Sequence, residues 1–273
     1  VDRVQADRSS TRAGNGRGAV SNVNVYIIDS GVDTSHADLN VVYHVNFRGD
    51  GRNRDCSGHG THVAGTVAAK DNGSGVVGVA PGARVTGVKV LGCNDEGTRS
   101  MIIEGIDWVT ANATKPAVAN LSLTGPPSRA LDAAVRRSVR SGVFYSVAAG
   151  NQGRNACNYS PARAAVGTNN GIVAAAATNK SNAETPSSNF GRCVDLWAPG
   201  AKIRSTKKGG GTTLMSGTSM AAAHAGGAGV LYLSSRTRAA PATIERALKA
   251  DSVRTRRFSE DGRRIRLIHA SRY

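Results

Sequence analysis

Ser216-Gly217-Thr218-Ser219-Met220-Ala221-Ala222 sets a hydroxyl where a loop enters a helix. From Ser219 to Tyr232 the residues are small or apolar on nearly every side, so this helix belongs at the centre of the molecule. Strand patterns precede it. Residues 23–28 are apolar and β-branched, residues 84–91 carry Val85, Thr86, Val88 and Val90, and residues 117–123 and 143–149 are further apolar runs. Helical patterns lie between them. Residues 61–70 read as a short helix, and residues 101–112 repeat Ile102, Ile103, Ile106 and Val109 at three- and four-residue steps. Residues 130–141 turn Leu131, Ala134, Val135 and Val139 inward and Arg136, Arg137 and Arg140 outward. Pro241 opens a last helix, in the first turn where a missing N–H is tolerated. Apolar strands alternating with helices predict an α/β fold, a mostly parallel central sheet with helices on both faces. No linker-like break divides the chain, so residues 1–273 are expected to form one domain.

Such folds gather active groups at the carboxyl ends of their strands. Val25-Tyr26-Ile27-Ile28-Asp29-Ser30-Gly31 delivers a carboxylate there, and Val147-Ala148-Ala149-Gly150-Asn151 delivers a side-chain amide. Gly58-His59-Gly60-Thr61-His62-Val63-Ala64-Gly65 places an imidazole at a helix start. Amide hydrolysis needs a nucleophile, a base of near-neutral pKa and donors for the developing oxyanion. Ser219 suits the first role and His59 the second, with Asp29 orienting the imidazole. Asn151 and the N–H of Ser219 suit the third. The order Asp, His, Ser along the chain is one of the established orders of a hydrolytic triad. A base with histidine's ordinary pKa predicts activity rising through roughly pH 6–8. His62 and His224 have no convincing further ligands nearby and are read as helix-packing side chains.

The four cysteines, Cys56, Cys93, Cys157 and Cys193, lack the short spacing of a zinc or redox site. They allow three pairings, of which Cys56–Cys93 with Cys157–Cys193 keeps both loops local. Two disulfides imply an exported protein. No run of ~18 apolar residues is present, so no membrane span is expected. Val1-Asp2-Arg3 does not read as a signal peptide and suits the mature end of a processed precursor. Net charge is +16, and 27 of the 35 basic residues are arginines. They are scattered, with Arg254, Arg256, Arg257, Arg263, Arg264 and Arg266 near the end, and no nucleic-acid-binding module accompanies them. A solvated basic surface, with no specific nucleic-acid partner, is the expectation.

Taken together, Asp29-Ser30-Gly31, the His59 motif, Ala148-Ala149-Gly150-Asn151, Ala198-Pro199-Gly200 and Gly217-Thr218-Ser219-Met220-Ala221 resemble the subtilases. The segments around Cys56, Cys93, Cys157 and Cys193 resemble its disulfide-bearing, proteinase K-like branch most closely. The likeness runs over residues 23–235. It implies a secreted serine endopeptidase acting on proteins and peptides through an acyl-enzyme on Ser219. It implies a monomer made with a propeptide, the local disulfide pairing, and no cofactor for catalysis. It further implies an extended substrate lying between Glu96-Gly97-Thr98 and a second wall that includes Ser122, Leu123, Thr124 and Gly125. An apolar or aromatic residue is then expected just before the scissile bond. Asp195 matches a calcium-ligating position of that branch and is the candidate ligand for a structural calcium. Departures are visible. Thr124-Gly125-Pro126-Pro127 stands where two glycines are usual, which should narrow the cleft, and Ala223 stands where the family has proline. Against the resemblance, residues 163–170 read as a longer stretch near the expected calcium region, and a shorter N-terminus is expected to remove the place of another calcium.

Overall fold

A computed structural model describes residues 1–273. The elements run β1 (Asn24–Asp29), β2 (Val41–Asn46), α1 (His59–Ala68), β3 (Arg84–Lys89), α2 (Arg99–Asn112), β4 (Ala117–Leu121), α3 (Arg129–Arg140), β5 (Val143–Ala148), β6 (Ile172–Thr178), β7 (Leu196–Pro199), β8 (Ile203–Thr206), β9 (Thr212–Met215), α4 (Thr218–Ser235), α5 (Pro241–Asp251), β10 (Val253–Phe258) and β11 (Arg264–Leu267). Nine strands form one sheet in the order β10-β11-β7-β6-β5-β4-β1-β3-β2. Every pairing from β2 to β11 is parallel, and only the terminal β10–β11 pair is antiparallel. The expected α/β architecture is therefore present.

Strand β1 shows why helices cover both faces. All six of its residues are buried, and alternate side chains enter different cores. Val25 and Ile27 pack with Val63 and Val67 of α1 and Met220 and Ala223 of α4. Tyr26 and Ile28 pack with Ile106 of α2 and Leu131 and Val135 of α3. Each such aliphatic side chain contributes about 1.5–3 kcal/mol by leaving water. A charge placed at Ile27 would sit unpaired beneath α1 and would unfold the centre of the sheet. Helix α4 is buried from Thr218 to Leu233, as its all-round apolar pattern predicted.

The differences from the sequence reading are physical. The helix expected from residue 61 starts at His59, and the strand expected to reach residue 123 ends at Leu121. Strand β6 carries four alanines, poor strand formers in isolation, yet all seven residues are buried between β5 and β7. Strand β2 is an edge strand with Tyr43 exposed, so its apolar pattern is broken. The basic end of the chain forms the β10–β11 hairpin, and its arginines are not all free. Arg263 donates to the carbonyls of Val194 and Gly191 and lies over the Trp197 ring. Arg266 donates to Ser252 Oγ and to the Lys249 carbonyl.

Candidate active site

The carboxyl ends of β1, β4 and β5 and the starts of α1 and α4 meet at one edge of the sheet. Asp29, the last residue of β1, is fully buried. His59 Nδ1 donates to Asp29 Oδ1 at 2.7 Å, and the N–H of Ser30 donates to the same oxygen at 2.7 Å. The approach of α1 to β1 requires Gly60, because a methyl there would lie 2.0 Å from the carbonyl oxygen of Gly31. Gly58, at the cap position, supplies no side-chain oxygen to α1. Buried Asp55 takes that part. Its Oδ2 accepts from the N–H and hydroxyl of Thr61, and its Oδ1 accepts from the N–H of Gly58 and the Ser30 hydroxyl. This anchors the first turn of α1 and adds a favourable negative charge at its N-terminus.

Ser219 is the second residue of α4 and is 8% exposed. Its hydroxyl donates to the Ser122 carbonyl at 3.1 Å and not to His59, so it must rotate to hand its proton to the imidazole. Resting sites are often loose in this way before substrate tightens them. A buried polar chain fixes the position of Ser122. Ser146 Oγ donates to Asn120 Oδ1, Asn120 Nδ2 donates to Ser122 Oγ, and Ser122 Oγ donates to the Ser219 carbonyl, each within 2.9 Å. The N–H of Ser219 makes no hydrogen bond within the chain, as befits the first turn of a helix.

Asn151 follows β5 through Gly150, whose φ of 105° and contact with the Asn189 amide exclude a side chain there. Asn151 Oδ1 accepts from the N–H and hydroxyl of Thr218 at 2.9 and 3.0 Å. That pair of donors assigns the amide's orientation and leaves Nδ2 unengaged in the chain. Two N–H donors, Asn151 Nδ2 and Ser219 N, are thus free beside the same hydroxyl. The group can deliver a nucleophile, accept its proton and stabilise an oxyanion.

A cleft of about 540 Å³ brings together His59, Asn151 and Ser219 with Glu96, Gly97, Ser122, Leu123, Thr124 and Gly125. Gly97 and Leu123 leave their backbone N–H and C=O groups without hydrogen bonds in the chain. Gly125 does not, because it exchanges both backbone bonds with Ser160. Thr98, expected on the cleft wall, instead caps α2 by accepting from the N–H of Met101. Thr124 lines the cleft as expected, and its buried hydroxyl has no partner.

The electrostatics depart from the expectation of an ordinary histidine. Burial pulls the His59 pKa down, but the charge and hydrogen bond of Asp29, helped by Asp95 and Asp55, outweigh it and raise the value to about 9. Asp95, which lines the cleft beside His59, was missed because nothing in the loop sequence brings it to the imidazole. Asp55, Asn120 and Ser146 were also missed, since their signal is burial, which a polar residue in a loop or strand does not announce. His62 and His224 pack as expected. His62 Nε2 bonds the Ile203 carbonyl, His224 Nδ1 bonds the Met220 carbonyl, and burial pushes His224 down to about 3.

The disulfides are Cys56–Cys93 and Cys157–Cys193, with Cα separations of 4.8 and 5.2 Å. Asp195 lies outside the cleft. Its Oδ2 accepts from the N–H of Ala174, and its Oδ1 lies 2.5 Å from the Lys249 ammonium. A calcium ion needs six to eight oxygen ligands. With an ammonium already on this carboxylate, the residues present do not fit the calcium expected at Asp195.

Residues 20–263 match the Subtilase family, and the chain belongs to that family of serine proteases. Alkaline serine exoprotease A of Vibrio alginolyticus is 44% identical over 226 residues, covering 82% of this chain and 40% of that protein. Proteinase T of Parengyodontium album is 42% identical over 215 residues, covering 76% of this chain and 70% of the other. A crystal structure of a cold adapted subtilisin-like serine proteinase matches with a TM-score of 0.85 at 36% identity, over 98% of both chains. The chain spans about half the length of several curated relatives, from 40% to 54% in three cases.

Proposed function

We propose that this chain is a secreted serine endopeptidase of broad specificity that works through an acyl-enzyme on Ser219. The observation that carries the reading is the Asp29–His59 hydrogen bond at 2.7 Å in the same cleft as Ser219 and the unengaged amide of Asn151. Ser219 Oγ attacks the scissile carbonyl as His59 takes its proton. Asp29 holds the ring and stabilises the imidazolium. Asn151 Nδ2 and the Ser219 N–H receive the negative oxygen. His59 then returns the proton to the leaving amine, and water repeats the sequence on the ester. Hydroxyl, imidazole, carboxylate and amide suffice for these steps, without a cofactor.

The free backbone groups of Gly97 and Leu123 suit an extended peptide bound as an added strand, which holds main chain of any sequence. Leu123, Thr124 and Gly125 offer an uncharged wall, which favours a bulky apolar or aromatic side chain before the scissile bond. Two disulfides support an oxidising, extracellular setting, and a 43% identical relative from Thermus sp. is named an extracellular serine proteinase.

The test is hydrolysis of a peptide library by the purified chain, with and without a serine-directed covalent inhibitor. Cleavage after large apolar residues, abolished by the inhibitor, is expected. Cleavage mainly after Lys or Arg would overturn the pocket reading, and hydrolysis that survives complete labelling would overturn the nucleophile. Thr124→Gly, which removes a side chain from the wall, should raise kcat/KM for aromatic substrates more than for small ones.

A further inference from the structure

We propose that Lys249 is a built-in cation at the Asp195 position, so that this part of the fold is stabilised without calcium. Lys249 Nζ lies 2.5 Å from Asp195 Oδ1 and 2.5 Å from Glu245 Oε1. Both carboxylates are buried, with side-chain exposures of 7% and 0%. The remaining valences are met by backbone donors. Asp195 Oδ2 accepts from Ala174 N, Glu245 Oε1 accepts also from Asn169 N, and Glu245 Oε2 accepts from Gly171 N at 2.7 Å. One ammonium thereby ties α5 to the residues before β7, while Glu245 ties α5 to the turn that enters β6.

Two buried carboxylates this close repel each other and need a positive charge between them. A divalent ion could provide it only by expelling the ammonium and by turning aside N–H groups that point at the same oxygens. Lys249 is held in its charged form, because the pull of Asp195 and Glu245 outweighs the effect of burial and raises its pKa. Residues 163–170 lead into the turn whose Asn169 and Gly171 N–H groups bind Glu245, so this turn serves a lysine–carboxylate latch.

The experiment is thermal unfolding of the covalently inhibited enzyme in chelator and in excess calcium, for the parent, Lys249→Met, Lys249→Arg and Asp195→Asn. In chelator, Lys249→Met should melt roughly 5–10 °C below the parent, because it leaves two buried carboxylates without a counter-charge. Lys249→Arg, which keeps the charge, should recover at least half of that loss. Parent and Asp195→Asn should respond to calcium by the same amount. Lys249→Met melting with the parent in chelator would overturn the proposal. So would a calcium response of the parent that Asp195→Asn abolishes, a result that can be read even if Lys249→Met does not fold.

Discussion

His59 Nδ1 donates to Asp29 Oδ1 at 2.7 Å, while Asp29 Oδ2 is buried with no hydrogen-bond partner. The carboxylate therefore directs its poorly compensated charge at the imidazole. That favours the imidazolium, the form His59 takes when Ser219 attacks. The same contact that prepares the site for the charged intermediate also keeps the resting histidine protonated to higher pH.

Activity should accordingly rise with pH through about 9, above the range of an ordinary histidine. Below that value His59 is protonated and cannot accept the Ser219 proton. Above it the base is free. Asp95 is one of the charges that raise the value, so Asp95→Asn should move the rise to lower pH. The check is kcat/KM against pH with an uncharged peptide. A parent profile already complete at pH 7 would contradict the electrostatics.

Asn151→Ala should lower kcat by ~10²–10³ with little change in KM, the loss seen when an oxyanion donor is removed from a related site. The variant should fold, because Asn151 is exposed and its two accepted bonds come from Thr218, at the start of a helix that stays buried. A rise in KM with kcat unchanged would show instead that Asn151 binds substrate and transition state alike.

Removing the Cys157–Cys193 bridge, which closes 36 residues, should cost about 4 kcal/mol by the chain-entropy relation. For a domain of this size that is roughly 10 °C in melting temperature. The measurement is unfolding of the inhibited Cys157→Ser/Cys193→Ser variant. An unchanged melting temperature would show that the loop is already pinned without the bridge.

What was legible in the sequence is which residues the fold brings to one sheet edge, where chemistry dictates residue type at a strand end or helix start. Asp29, His59, Asn151 and Ser219 stand in short motifs that few other roles would produce, and α4 announced its burial by lacking a polar face. What was not legible has a different origin. The Thr98 hydroxyl caps α2, a use that its place beside Gly97 in the expected wall did not reveal. Asp195 matched a calcium-ligating position, yet its partner is set by Lys249 on α5, a distant helix whose lysine reads as ordinary surface charge. Asp55 and Asp95 raise the pKa of His59 through space, and neither proximity has a local pattern.

The central claim is that Ser219 is the nucleophile, and mass spectrometry of the inhibitor-labelled protein tests it most directly. Treatment with a serine-directed covalent inhibitor should add one adduct, on the peptide carrying Ser219, in step with loss of peptide hydrolysis. Ser219→Ala should stay folded, take up no label and turn over near background. Labelling at another residue, or full hydrolysis by a contamination-free Ser219→Ala preparation, would contradict the account.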